Sequence, residues 1–325
     1  MRMRATNLLC LFLAPVAMAV TGHAQTRHAF EIAAGPVSGD LYVQGERLAG
    51  VVSHPPGLGR CADEALCGPP GLIASAKATA NTNEGLLAIA RGEVASALAP
   101  ADLAAAMRLN TGKGKQKQSR LRAVAFAGDE TLYVIAAAKG PVTSLRSMRK
   151  RWIGIGGRAS RTRLAANALL SAARLDLAAL RPAEVEGVAA IKLLREKRLD
   201  AFVWIGAKMP AELDGMLKRG EARIVPLDKG TAARLSAKQL GYAAKTVNGV
   251  STVSVPVVWL VDEKQPSDVV YAIARAAFNQ RNSQALNSSK GDPASLILTR
   301  PTLDFVVPLH TGAARLFSER VEPSN

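Results

Sequence analysis

Short apolar runs alternate with amphipathic stretches along this chain. The apolar runs resemble buried strands, and the stretches between them carry apolar residues at helical spacing. The predicted strands are residues 29–34, 94–98, 121–126, 131–137, 152–155 and 253–261, and the predicted helices run up to residue 48 and over residues 86–91, 163–173 and 267–279. This alternation predicts an α/β fold. We expect a turn at Gly128-Asp129 between two strands and Ser267 as the N-cap of the last of these helices.

Two segments of the chain share one order of elements. Residues 86–100 and 190–206 each run from a helix through a short polar turn into an apolar strand. This similarity predicts two related α/β lobes that contribute equivalent units to a shared cleft. Chance similarity between two α/β units is an equal alternative.

The N-terminus has the three parts of a secretory signal peptide. Met1 to Arg4 is basic, residues 8–20 are an apolar run, and the small residues Gly22 and Ala24 precede Gln25. The apolar run is shorter than the roughly 20 residues that cross a bilayer. We therefore expect residues 1–24 to be cleaved after Ala24, and the mature protein to be periplasmic and not embedded in the membrane.

Export changes the interpretation of the cysteines. Cys10 leaves with the signal segment, so Cys61 and Cys67 are the cysteines of the mature chain. An oxidising compartment favours a disulfide between them, and two free thiols are the alternative. Too few ligands surround this pair for a metal site, and none is expected.

Charge and motifs exclude several functions. The chain has 42 Lys and Arg against 26 Asp and Glu, a formal charge of +16, but only 4% aromatic residues for stacking on bases, so nucleic acid is not an expected partner. The sequence contains no G-x-S-x-G, H-E-x-x-H or Walker motif. His310 has no identifiable catalytic partner. We expect neither an enzyme nor a cofactor.

Three junctions between a strand and a helix are rich in Gly, Ser, Thr and Asn, at residues 35–42, 79–85 and 156–162. A helix N-terminus presents unpaired N–H groups and the positive end of its dipole, which favours a carboxylate or another anion. Ordinary helix capping is the alternative for each junction. Three of them in two similar lobes favour a ligand cleft.

Segments along the whole chain resemble those of a known family. Residues 32–42 (IAAGPVSGDLY), followed by Gly45 and Leu48-Ala49, resemble the opening motif of the TAXI proteins, the TRAP-associated extracytoplasmic immunogenic solute receptors. Residues 307–315 (VPLHTGAAR) resemble their C-terminal segment. Between them, similar segments follow in the same order at residues 145–162, 200–210, 224–228 and 253–278.

The resemblance implies a two-lobed α/β fold, the type II periplasmic-binding-protein fold or Venus flytrap, with a ligand cleft between the lobes. We expect residues 25–137 and 254–325 to form the first lobe and residues 138–253 to form the second. The implied function is a monomeric periplasmic receptor that binds a small carboxylate, such as glutamate or a 2-oxo acid, for uptake through a TRAP-type permease.

The resemblance also carries the site residues over by position. The predicted ligand-binding residues are Gly35, Gly39, Tyr42, Asn81, Thr82, Arg158, Ser160, Thr162, Trp204 and Gly206. Ala80 and Asn81 replace glycines of the family loop, and Arg158 and Arg161 enter a turn that is usually made of proline and glycine. Arginines add bidentate donors for an anion. These departures leave open another ligand, or a sensor or accessory protein of the same fold without a transport role.

Overall fold

The computed structural model describes residues 27–37, 39–59, 61, 63, 66–109, 120–237, 241–287, 296–302 and 305–319. The predicted signal peptide lies outside the described residues, so its cleavage after Ala24 stays a prediction. Among the described residues, no helix is both long enough and apolar enough to cross a membrane.

One mixed sheet forms the centre of the molecule. Its strands are β1 (His28–Ala33), β2 (Leu72–Lys77), β3 (Ser96–Pro100), β4 (Leu121–Ala137), β5 (Trp152–Gly154), β6 (Arg181–Ala183), β7 (Ala201–Gly206), β8 (Ala222–Val225), β9 (Ala243–Val247), β10 (Val250–Asp262) and β11 (Leu298–Thr299). Their order across the sheet is β2-β1-β3-β10-β4-β7-β5-β6, while β8 and β11 also pair with β4, and β9 pairs with β10. The predicted α/β class is confirmed.

Helices connect most of these strands. They are α1 (Asp40–Val52), α2 (Thr82–Arg91), α3 (Ala101–Leu109), α4 (Arg161–Ala173), α5 (Gly187–Arg195), α6 (Ala211–Lys218), α7 (Lys229–Ser236), α8 (Ser267–Ala277), α9 (Gln280–Leu286) and α10 (Thr311–Glu319). Local sequence explains their ends. In α2, for example, the Asn81 side chain accepts a hydrogen bond from the Glu84 N–H, and Gly92 ends the helix in the left-handed conformation.

The two long strands β4 and β10 run antiparallel through the middle of the sheet and join its two halves. In one half, residues 257–261 of β10 pair with β3. In the other half, residues 131–137 of β4 pair with β7 and β8, and residues 250–254 of β10 pair with β9. The predicted lobe limits at 137 and 253 stay a prediction. This change of partner strands favours a passage of β4 from the first lobe to the second at residues 128–130.

The predicted turn at Gly128-Asp129 is wrong. β4 continues from Leu121 to Ala137, and Gly128 takes a φ of +81° inside it, opposite a register shift between Pro256 and Val258 of β10. Gly and Asp favour turns locally, but the β-branched run of β10 pairs with β4 on both sides of Gly128 and keeps the chain extended.

The predicted N-cap at Ser267 is also wrong. Ser267 is the first residue of α8, and Pro266 occupies the capping position without a side-chain hydrogen bond. The Ser267 hydroxyl instead accepts a hydrogen bond from the Thr311 hydroxyl at 3.2 Å, which links the starts of α8 and α10. Proline is tolerated at this end of a helix because the first N–H groups have no partner within the helix.

The sulfurs of Cys61 and Cys67 are bonded to each other in the loop between α1 and β2, with Cα atoms 6.3 Å apart. The His54 ring lies beside the pair, and its Nδ1 contacts the Gly68 carbonyl oxygen at 3.2 Å. A cysteine binds a metal ion as a thiolate, and the disulfide leaves neither cysteine in that form.

We expect thiol titration of the exported, unreduced protein under denaturing conditions to find no free thiol, because the structure pairs Cys61 with Cys67. The same titration after reduction is the control and should find two. Two free thiols before reduction would contradict the pairing.

The contact between α8 and α10 gives a second prediction. A Cβ added at Gly312 would overlap the Ser267 carbonyl oxygen and lie 2.7 Å from the Tyr271 nitrogen, so Gly312→Ala should lower the free energy of unfolding by about 1–3 kcal/mol. Urea denaturation measures the loss.

Gly50→Ala is the matched control for this substitution. Gly50 lies in α1 and is exposed, and an added Cβ would meet no atom within 4 Å. Because alanine is the better helix former, this change should raise stability by about 0.5–1 kcal/mol. Equal effects of the two substitutions would contradict the close contact at Gly312.

Candidate ligand-binding cleft

A cavity of about 500 Å³ opens where β4 and β10 pass between the two halves of the sheet. Its walls come from the turn after β1, the start of α1, the irregular part of β4 and the end of β7. The volume suits a small molecule, and the carboxyl ends of parallel strands are a common position for ligand sites.

Five of the predicted site residues line this cavity. They are Gly35, Gly39, Thr82, Trp204 and Gly206. Gly35 requires its glycine because its φ is +74°, and this conformation turns the chain from β1 towards α1. Their role in binding stays a prediction, but the structure brings them to one surface from both halves of the sheet.

The other five predicted residues do not line the cavity. The side chains of Asn81 and Ser160 cap α2 and α4, and each accepts a backbone hydrogen bond, from Glu84 and Arg163 respectively. Thr162 is buried within α4, and Tyr42 is half-buried on α1. Capping and packing therefore account for these polar side chains in the structure.

Arg158 does not line the cavity. Its side chain is 87% exposed and pairs with Glu184 at 3.2 Å. The sequence could not decide which of the two arginines at this turn faces the cleft. The structure places Arg161, the first residue of α4, in the cavity wall.

Arg161 is held by acidic residues from two other elements. Its Nε donates to Glu130 Oε2 at 2.7 Å, and its Nη1 donates to Asp102 Oδ2 at 2.9 Å. The Tyr242 hydroxyl also donates to Asp102 Oδ2, at 2.6 Å. Asp102 lies on α3 and Glu130 on β4, so this network joins the two halves of the sheet across the cleft.

Burial sets the protonation of this network. Burial opposes the charge on Arg161, but the carboxylates of Asp102 and Glu130 outweigh it and raise the arginine pKa. Burial raises the pKa of Glu130, against the opposing effect of Arg161. Burial and the charge of Asp102 raise the pKa of Tyr242 well above its ordinary value. Arg161 therefore stays charged, and Tyr242 stays a neutral donor.

Two buried donors at the cavity have no protein partner within the described part of the chain. They are Nη2 of Arg161 and Nε1 of Trp204. A buried N–H without an acceptor is costly, so such groups usually meet water or a ligand. The start of α1 adds a further donor surface, because Gly39 precedes it without a side-chain cap.

Asp40, in the first turn of α1, also lines the cavity. Burial raises the pKa of its carboxyl group, and the charge of Lys208 opposes this rise. Lys208 follows β7 and lines the same cavity. The cleft thus combines several donors with charged groups of both signs.

This topology and cleft define the fold of periplasmic solute-binding proteins of the two-lobed type II class. A TctC solute binding protein from Polaromonas is similar, with 17% sequence identity and a TM-score of 0.54 over 90% of this chain and 98% of the other. XAC2383 from Xanthomonas citri, in a structure bound to ATP, has 14% identity and a TM-score of 0.55 over 90% and 99%. The chain belongs to the NMT1-like family, which matches residues 32–320.

The buried network predicts a large effect of Arg161→Ala on stability. Removing the guanidinium leaves two buried carboxylates without their counter-ion, so the free energy of unfolding should fall by about 3–5 kcal/mol at pH 7. Urea denaturation measures this loss. The loss should shrink as the pH falls, because burial raises the pKa of Glu130 and its protonation removes one of the unpaired negative charges.

Arg158→Ala is the matched control, three residues away in sequence. Because the side chain is exposed, its removal should leave the unfolding free energy unchanged within error. Equal losses for the two alanine variants would contradict the assignment of Arg161 to a buried network.

Proposed function

We propose that this protein is a periplasmic receptor that binds a small organic anion in the cleft and delivers it to a membrane transporter. The observation that carries the proposal is the pair of buried donors without protein partners in the described part of the chain, Arg161 Nη2 and Trp204 Nε1, which belong to two residues that line one cavity. Donors without acceptors favour a ligand rich in acceptor oxygens, and a carboxylate is the simplest such group.

The location of the donors supports a ligand held between the halves of the sheet. Trp204 lies near the end of β7, whereas α1 follows β1 in the other half of the sheet. A carboxylate between them would meet an indole N–H on one side and helix N-terminal N–H groups on the other. Glutamate and 2-oxo acids are ligands of this chemistry.

The sequence supports the cellular setting of this proposal. The basic start and apolar run of residues 1–24 favour export and cleavage after Ala24. The resemblance to the TAXI proteins favours a TRAP-type permease as the partner. In this proposal the receptor works as a monomer, without a cofactor, catalytic residues or nucleic acid.

A sensor or accessory protein is the second candidate, because the loop at residues 79–85 departs from the TAXI pattern at Ala80 and Asn81. Deletion of the gene distinguishes the two roles. A transport receptor predicts that uptake of the bound ligand is lost on deletion and restored by the intact gene, whereas a sensor predicts unchanged uptake.

Native mass spectrometry of protein purified without denaturation identifies the ligand, and calorimetry then tests the site. Trp204→Phe removes the indole N–H but keeps an aromatic ring. We expect the binding free energy to weaken by about 1.5–3 kcal/mol, because the lost hydrogen bond joins a charged group. The dissociation constant should therefore rise about tenfold to 150-fold.

Trp152→Phe is the matched control. Trp152 is half exposed, lies outside the cavity lining and stacks under Arg181, so its substitution should not change affinity. A neutral or cationic ligand in the mass spectrum, or an unchanged dissociation constant for Trp204→Phe, would contradict the anion receptor.

A further inference from the structure

The single positive charge of Arg161 is already balanced inside the protein. Glu130 and Asp102 both contact its guanidinium, at 2.7 and 2.9 Å, and the side chains of these two acids are 11% and 4% exposed. A ligand that reaches Arg161 therefore meets a cluster with two acidic groups and one basic group. Arg161 Nη2 is buried and has no partner among the described residues, but Arg161 does not offer an uncompensated positive charge.

The other charged residues that line the cavity do not give it an excess of basic groups. Asp40 and Asp129 also line it, and Lys208 is the second basic residue among the lining side chains. Acidic groups therefore outnumber basic groups at the cleft, although the whole chain has a formal charge of +16. Charges act strongly over short distances in a partly buried site, so the local groups decide which ligand is accepted.

We propose that the cleft selects a ligand whose net charge is no more negative than −1, and that Asp102 and Glu130 set this limit. Suitable ligands are monocarboxylates and acids whose second carboxylate is balanced by their own ammonium group. Each further uncompensated carboxylate meets repulsion from the acidic groups around Arg161. This inference rests on the proposed function, because it specifies the charge of the anion that the receptor binds.

Asp102 and Glu130 act through Arg161 in this proposal and are positioning residues. Their hydrogen bonds hold Nε and Nη1 of the guanidinium at the start of α4, and Nη2 has no partner among the described residues. Tyr242 orients Asp102 by donating to the same oxygen that accepts from Arg161. The limit on charge thus follows from the same contacts that join the two halves of the sheet.

Calorimetric titration with butyrate, succinate and tricarballylate tests the limit, because the three acids differ in the number of carboxylates. At pH 7.5 and constant ionic strength, affinity for the intact protein should fall in that order. Asp102→Asn and Glu130→Gln keep the shape of each side chain and one acceptor oxygen but remove one negative charge. Each should raise the affinity for succinate relative to butyrate about tenfold.

Glu184→Gln is the matched control, because Glu184 pairs with the exposed Arg158 and neither residue lines the cavity. This variant should show the same order of affinities for the three acids as the unchanged protein. Melting temperatures verify that each variant is folded. If Asp102→Asn does not fold, Glu130→Gln removes the same charge at the other contact of Arg161.

The outcomes separate this inference from the proposed function. Tighter binding of succinate or tricarballylate than of butyrate by the unchanged protein, or a preference that neither variant alters, would overturn the charge limit and leave an anion receptor. Binding of none of the three acids would overturn the inference, because it predicts that monocarboxylates are accepted, whereas the proposed receptor is tested by the ligand that native mass spectrometry identifies.

Discussion

The contact of Arg161 with Asp102 and Glu130 is the interaction on which the cleft depends. It joins the first residue of α4 to α3 and to the long strand β4, so it holds together elements from both halves of the sheet. Burying a guanidinium costs free energy, and two carboxylates with short hydrogen bonds offset that cost. The same contacts determine that Nη2 is the guanidinium nitrogen without a partner among the described residues.

The paired strands β4 and β10 make this arrangement possible. They continue through both halves, and the irregular part of β4 at Gly128 provides cavity wall between them. β1 and β7 end on opposite sides of that point, which brings the start of α1 and the side chain of Trp204 to one cavity. A continuous strand pair thus explains how donors that are distant in sequence come to share one ligand site.

Local patterns predicted much of the fold. The strand expected at residues 29–34 is β1, one residue earlier at each end, and the helix expected at residues 86–91 is the second part of α2. These elements follow from apolar spacing and capping, which act over a few residues. The turn expected at Gly128-Asp129 failed because pairing with β10, more than 120 residues away in sequence, overrides the local preference for a turn.

The sequence by itself indicated the α/β class, the cysteine pair and five of the twenty residues that line the cavity, because strand periodicity and glycine-rich junctions are local signals. Only the tertiary structure decided between Arg158 and Arg161. The two arginines are three residues apart and equal in chemistry, and their roles differ because the start of α4 turns one towards Asp102 and Glu130 and leaves the other beside Glu184 in solvent. Long-range packing decides which carboxylates contact a guanidinium, and residue spacing along the chain does not predict it.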